Sequence, residues 1–353
     1  MLNNYSFKKN KMLNEREFKT GSLILKSKPT WIQIEPATLC NIYCMMCRTY
    51  DENKNWGKLA EPELFEHLYK TGWLKYAELL EINGWGETFL NPQIGGFLEK
   101  CKKYKNLTMQ ITTNGLLLNN HKILSILCEL PQLILRFSID SADLLVYEKI
   151  RRGGSWKVLM ENIEMLNRIK QERGSRLMKA CDCLVHRMNV NDLDKMVDFS
   201  VKYGFNSLNF MRVCHCEGLE VSDDLAIPAM ERAKEYAKDK KIQLRTYGKY
   251  KDKEKIPGTG TVMEKMSWRC ERPWKHVLIR IDGAVVPCCY LSNYRCNAVM
   301  GNIFKEPLSK IWNSKKYVQL RKSAYKGYPD FCDVEGGGCK AKTKFVPNVE
   351  LEK

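Results

Sequence analysis

Fifteen cysteines stand in a chain of 353 residues, and three of them, Cys40, Cys44 and Cys47, fall at C-x3-C-x2-C spacing directly after a strand-like run, Trp31 to Glu35. Neither a strand nor a helix turns that spacing toward one point, whereas a loop does. Three thiolates are one short of the closed tetrahedral set of a structural zinc. Soft thiolate ligands suit iron-sulfur chemistry, and a [4Fe-4S] cluster held by three cysteines leaves one iron open to a reacting molecule. No export signal is evident in the sequence, so these cysteines are read as reduced thiols rather than half-cystines.

Elements able to position such a loop follow in order. Apolar runs of strand length occur at Trp31 to Glu35, Leu79 to Asn83, Leu107 to Thr112, Leu133 to Ile139, Lys179 to Val185 and Ser207 to Val213. Between the last two, Asn191 or Asp192 can cap a helix with Leu193, Met196, Val197 and Val201 on one face, closed by Gly204. Strands alternating with amphipathic helices predict an α/β fold with parallel strands and right-handed crossovers, either a partial barrel or an open doubly wound sheet. Beyond Cys214 the pattern changes. A helix near Pro228 to Lys238 runs into a charged stretch ending near Pro257-Gly258. Val277 to Ile281 and Ala284 to Val286 then read as a hairpin about Asp282-Gly283, and Leu308, Ile311 and Trp312 mark one more helix.

The segments at the strand ends carry a resemblance. Gly84-Trp85-Gly86-Glu87-Thr88 follows the second strand, Thr113-Asn114-Gly115 the third, and Ser138-Ile139-Asp140-Ser141 the fourth. With the cysteine triplet, this order resembles the radical S-adenosylmethionine superfamily over about residues 30 to 340. The resemblance implies a partial (β/α)6 TIM-like barrel, a first [4Fe-4S] cluster on Cys40, Cys44 and Cys47, and S-adenosylmethionine contacted by Gly84, Gly86, Glu87, Asn114, Ser138 and Asp140. Each segment lies at the carboxyl end of a predicted strand, where α/β barrels build their sites. Met46 stands where many relatives place an aromatic residue near the adenine, and a thioether can fill the same apolar role.

A second cysteine set starts at Cys270-Glu271-Arg272-Pro273-Trp274 and continues through Gly283 to Cys288-Cys289 at C-x12-G-x4-C spacing, followed by Cys332 and Cys339. It resembles the SPASM or twitch extension of the same superfamily. That implies a small C-terminal α+β domain with an auxiliary [4Fe-4S] cluster on Cys270, Cys288, Cys332 and Cys339, with Cys289 or Cys296 as alternatives to Cys339. The missing central cysteine array favours the one-cluster twitch type. Cys101, Cys128, Cys181, Cys183, Cys214 and Cys216 read as core or incidental thiols, and Arg187 and Arg212 either as ligand-reaching or as surface ion-pair residues.

Composition bounds the rest. Hydrophobic residues at 44% and charged residues at 28% exclude a disordered or low-complexity chain, and no apolar run suits a bilayer, so a cytoplasmic protein without membrane partner is expected. The net charge of +17 comes largely from the N-terminal stretch and from Lys238 to Lys255, which read as solvated faces rather than a nucleic-acid site. Walker, nucleophile-elbow and zincin motifs are absent from the sequence. The expected organisation is a basic arm at 1–29, the barrel at 30–225, a helix and charged linker at 226–262 and the auxiliary-cluster domain at 263–353. The resemblance implies an oxidoreductase that makes a 5'-deoxyadenosyl radical with one electron from a donor such as flavodoxin or ferredoxin. Its expected substrate is a small molecule, a sugar or aminocyclitol alcohol. A peptide-modifying maturase and an iron-sulfur electron carrier are the alternatives.

Overall fold

A computed structural model describes residues 2–47, 57–213, 216, 218–247, 270–292 and 298–326. Its strands in chain order are β1 (Trp31–Ile34), β2 (Tyr43–Cys44), β3 (Leu79–Ile82), β4 (Thr108–Thr113), β5 (Leu133–Ser138) and β6 (Arg151–Arg152). They continue with β7 (Met178–Val185), β8 (Ser207–Arg212), β9 (Gln243–Tyr247), β10 (His276–Ile279), β11 (Ala284–Val286) and β12 (Gly301–Asn302). One sheet takes the order β12-β11-β10-β1-β3-β4-β5-β7-β8-β9, and β2 pairs with β6 in a separate two-stranded ribbon. Every pairing from β10 through β9 is parallel, as alternating strands and helices require. All six strands read from the sequence form, and so does the hairpin, antiparallel about a turn in which Gly283 takes φ +76°.

Two findings extend that reading. The charged stretch contributes β9, whose Gln243 and Leu244 pair with Ser207 and Leu208, so its high charge hid a strand of the main sheet. The hairpin also joins that sheet, because β10 pairs in parallel with β1, Trp31 opposite His276. Cys270 and Cys288, which flank this hairpin, are thereby tied to the strand that leads into the first cysteine loop.

Alternation along the strands divides the sheet into two faces. Ile32, Ile34, Leu80, Ile82, Ile111, Phe137, Cys181, Cys183 and Phe210 are buried in one continuous core with helix residues such as Leu64, Leu98, Leu124, Leu159 and Ile163. Cys101, Cys128, Cys181 and Cys183 are buried thiols, as expected. The opposite face carries Trp31, Gln33, Glu81, Gln110, Arg136, Asp182 and Asn209, held in register by side-chain hydrogen bonds. A polar face on a parallel sheet is unlike a plain structural core, which buries both faces with aliphatic residues.

The N-terminal basic arm is a helix, Leu2–Thr20. Its buried positions, among the described side chains, are Asn10, Asn14 and Glu17, spaced along one face and hydrogen-bonded, with Phe18 packed edge-on against Trp274. Asn14 donates to the Trp274 carbonyl at 2.7 Å, while Glu17 accepts from the backbone of Lys26 at 2.7 Å. Arg321, fully buried, donates to the carbonyls of Leu23, Trp312 and Pro273 and ties the helix Lys315–Lys326 and the segment after the N-terminal helix to the segment that carries Cys270. Among the described residues no helix is long and apolar enough to cross a membrane.

Lys179 is 1% exposed and donates to Asn167 and the Tyr203 carbonyl with Phe205 under its ammonium. Burial, aided by Lys170, pulls its pKa down to about 7. Above the ordinary lysine range both folded and unfolded states are neutral there. As the pH falls toward 7 only the unfolded chain gains the proton, so this residue removes stability with falling pH and the full cost is present below about 7. Lys179→Met is expected to stabilise the protein at pH 7 by about 1–2 kcal/mol. Its denaturant midpoint should lose part of its rise between pH 7 and 10, and a parallel pH dependence in both proteins would contradict the expectation.

Candidate active site

The loop that follows β1 is built by backbone contact with the segment after β3. The amide of Gly86 donates to the Ala37 carbonyl at 3.0 Å and that of Glu87 to the Leu39 carbonyl at 2.9 Å. A Cβ on Gly86 would lie 2.3 Å from the Leu39 carbonyl oxygen, and one on Gly84 2.5 Å from the Glu35 side chain, so only glycine permits this approach. Asn91 adds two donations, to the carbonyls of Pro36 and Ala60, both at 2.9 Å. The run into Cys40 is therefore fixed by its backbone, independently of the thiols.

Glu87 and Asn114 join this loop to the end of β4. The Glu87 carboxylate, 3% exposed, accepts from the Thr113 hydroxyl at 2.7 Å, the Asn114 amide at 2.8 Å and the Phe89 amide at 3.2 Å. Burial raises its pKa against those three donors. A carboxylate has about four acceptor positions, so room for one more donor remains. Asn114 donates through Nδ2 to Asn41 Oδ1 at 2.8 Å and lies 3.9 Å from Cys40 Sγ.

Ser138 ends β5 and is half-buried, but Asp140 is fully buried and faces Arg151 rather than open space. Arg151 Nη2 sits 2.8 Å from Asp140 Oδ2, and Asp140 Oδ1 accepts the Leu184 amide at 2.8 Å. Arg151 Nη1 then reaches Cys44 Sγ at 3.7 Å. The β2–β6 ribbon sets this contact, since Cys44 and Arg151 are partners in register. Sequence reading missed Arg151. Its signal was only the Arg151-Arg152-Gly153-Gly154 run closing the helix Leu144–Ile150.

Cys40, Cys44 and Cys47 are all half-buried, and each lies within electrostatic reach of the others. Burial pushes the Cys40 thiol up and Cys44 to about 11, with Arg151 opposing the shift at Cys44. Such thiols lose their protons on binding metal. Among the described residues no three histidine, cysteine or acidic side chains close around a single ion. A cubane instead distributes its thiolates over separate irons, and the all-thiol set with N–H donors on two sulfurs fits it. Met46 is half-buried on the same loop. Cys216, read as incidental, places its Sγ 3.5 Å from the Met45 carbonyl, while Cys214 lies outside the described residues. Arg212 pairs with Asp223.

Of the second cysteine set, Cys270, Cys288 and Cys289 stand at the other end of the strands. Cys270 precedes the short helix Arg272–Lys275 that enters β10, and Cys288 follows β11, which returns antiparallel. Cys288 is buried, Cys270 half-buried and Cys289 exposed. Arg272 lies in the field of all three and over the ring of Trp31, the first residue of β1, at 4.5 Å. Cys332, Cys339 and Cys296 lie outside the described residues.

Residues 34–200 match the family model of the radical SAM superfamily, and residues 270–340 match that of the SPASM iron-sulfur cluster-binding domain. The chain carries a radical SAM domain followed by a SPASM domain. The first domain implies S-adenosylmethionine and a [4Fe-4S] cluster, and the second auxiliary iron-sulfur. In sequence it is 26% identical over 165 residues to a protein named probable GTP 3',8-cyclase of Methanococcus maripaludis, covering 47% of this chain and 53% of that one. A protein of the same name from Methanocaldococcus jannaschii is 24% identical over 169 residues, covering 48% and 54%. The chain thus spans about half the length of the curated relatives it matches. In fold it is similar to SuiB of Streptococcus suis bound to S-adenosylmethionine, with TM-score 0.69 at 17% identity over 93% of this chain and 76% of that one. It is likewise similar to anSMEcpe with bound AdoMet, with TM-score 0.61 at 16% identity over 84% and 81%.

Glu87→Ala tests the vacant acceptor position. If the cofactor's ammonium occupies it, losing a charge-assisted hydrogen bond of roughly 1.5–3 kcal/mol should weaken S-adenosylmethionine binding about tenfold or more with both clusters retained. An unchanged dissociation constant by calorimetry would reduce Glu87 to a latch between the loops after β3 and β4.

Proposed function

We propose that this radical SAM protein oxidises a small hydroxyl-bearing substrate, held on the polar face of the sheet between its two cysteine sites. The observation that carries the reading is their placement at opposite ends of the same parallel strands. Arg272 beside Cys270 covers the start of β1, and Cys40 follows its end. At about 3.3 Å per residue the two sites are roughly 15 Å apart, enough for a small molecule between them. When bound, the first cluster and S-adenosylmethionine supply a 5'-deoxyadenosyl radical that removes a hydrogen atom.

The chain's own residues would then bind and orient. Gln33 Oε1 and Asn209 Oδ1 are buried acceptors on the polar face without a hydrogen-bond partner among the described residues, suited to hydroxyl donors. Arg136 is held bidentate by Asp182 at 2.7 and 2.8 Å, so this cation is already neutralised, which argues for a polyol without anionic groups over a polyphosphate. A sugar or aminocyclitol alcohol meets these terms, and after hydrogen-atom removal its oxidation to a carbonyl would be completed by loss of one electron, for which an auxiliary cluster on the second cysteine set would be the acceptor, and of the hydroxyl proton to solvent. A one-electron donor of flavodoxin or ferredoxin type would feed the first cluster. A peptide is the second reading, favoured by the fold shared with SuiB bound to its precursor peptide SuiA, at TM-score 0.68 over 93% of this chain.

The test is anaerobic incubation of reconstituted protein with deuterated sugars, aminocyclitols and peptides. Deuterium is expected to pass from a carbon bearing a hydroxyl into 5'-deoxyadenosine. Transfer from peptides alone would favour the second reading, and turnover only with a nucleoside triphosphate would sink both.

A further inference from the structure

Arg151 is 6% exposed and Asp140 fully buried, and both lie beneath a cysteine loop. One edge of the guanidinium is held by Asp140 at 2.8 Å and the other points at Cys44 Sγ at 3.7 Å. Asp140 is itself fixed, its carboxylate by the Leu184 amide at 2.8 Å and its carbonyl by Asn189 Nδ2 at 2.6 Å. Arginine keeps its charge at any working pH, so a permanent cation lies against one sulfur with its counter-anion on the far side. Asp140 meets this buried cation from one side only, so the other guanidinium edge stays turned toward the sulfur.

We infer that Arg151, positioned by Asp140, raises the reduction potential of the first cluster by placing fixed positive charge at Cys44. One-electron reduction makes a cluster more negative, and a nearby cation favours the reduced form, as do hydrogen bonds to its sulfurs. The inference rests on Cys40, Cys44 and Cys47 holding that cluster. It goes beyond that assignment by giving the Ser138 to Asp140 segment an electrostatic task directed at the metal site.

Potentiometric titration of the reconstituted protein, followed by EPR, tests this. The first cluster is recognised as the signal that changes when S-adenosylmethionine is added. Arg151→Met is expected to lower the reduced-to-oxidised ratio at fixed potential about tenfold, which is about 59 mV for one electron. Asp140→Asn removes the opposing anion and should move the potential upward, while Arg151→Lys should restore most of the wild-type value. Opposite shifts in the Met and Asn variants are not expected of residues that merely brace the fold. Unchanged potentials at wild-type iron content would overturn the inference. So would loss of the cluster from Arg151→Met combined with a wild-type potential in Asp140→Asn. A wild-type protein with no signal that responds to S-adenosylmethionine would instead overturn the ligand assignment.

Discussion

Simultaneous replacement of Cys40, Cys44 and Cys47 by alanine is expected to remove one of about two [4Fe-4S] clusters per chain and to abolish cleavage of S-adenosylmethionine. Iron should fall from about eight to about four atoms per chain, because Cys270 and Cys288 of the second set are carried by separate elements. The loss of turnover should be complete, since no other described thiol is placed to replace three ligands on that loop. The variant should nevertheless fold. Gly86, Glu87 and Asn91 hold residues 36–39 through backbone carbonyls, and Ile42 and Ile34 are buried in the core without help from sulfur. Circular dichroism should therefore match the wild type. A wild-type iron content near four would remove the auxiliary cluster from the account, and zinc in place of iron would remove the whole reading.

How much of this was legible beforehand depended on whether a residue's role follows from its own surroundings in the chain. Strands β1, β3, β4, β5, β7 and β8 were legible because each is a short apolar run, with period-two burial in β3, β4 and β5 and runs of consecutive buried residues in β1, β7 and β8. The cysteine loop and the glycine segment were legible because spacing limits what can converge. Three features were hidden. The helix Leu2–Thr20 buries Asn10, Asn14 and Glu17, so its docking face looks solvated in any hydropathy pattern. β9 sits in a basic stretch whose pairing with β8 only the folded sheet supplies. Arg151 owes its importance to contact with Cys44, 107 residues away, through a ribbon of two residues per strand. Asp140 shows the converse. Sequence expectation placed it at the cofactor, and its observed partners are Arg151 and the Leu184 amide.

Loss of Cys288 is expected to spare reductive cleavage of S-adenosylmethionine and to abolish oxidised product. The two outcomes separate because cleavage needs only the first cluster, at the carboxyl ends of β1, β3 and β4, whereas Cys288 follows β11 at the opposite end of the sheet. Cys288 is the buried member of its pair and Cys289 the exposed one, so alanine at 288 removes the thiol already enclosed beside Arg272. A half-buried cation beside those sulfurs would favour the reduced state of a cluster there, which suits an electron acceptor. Metal sites also stabilise the fold, so the comparison requires matched circular dichroism and matched first-cluster content. Under those conditions 5'-deoxyadenosine should continue to form in Cys288→Ala, while oxidised product per 5'-deoxyadenosine falls at least tenfold. A wild-type ratio would show that the substrate electron leaves by another route and that the cysteines beside β10 and β11 serve structure alone. Loss of both products together would instead mean that this end of the sheet is needed to hold the substrate, because Trp31 on the polar face lies under Arg272 and donates to Glu81 beside it.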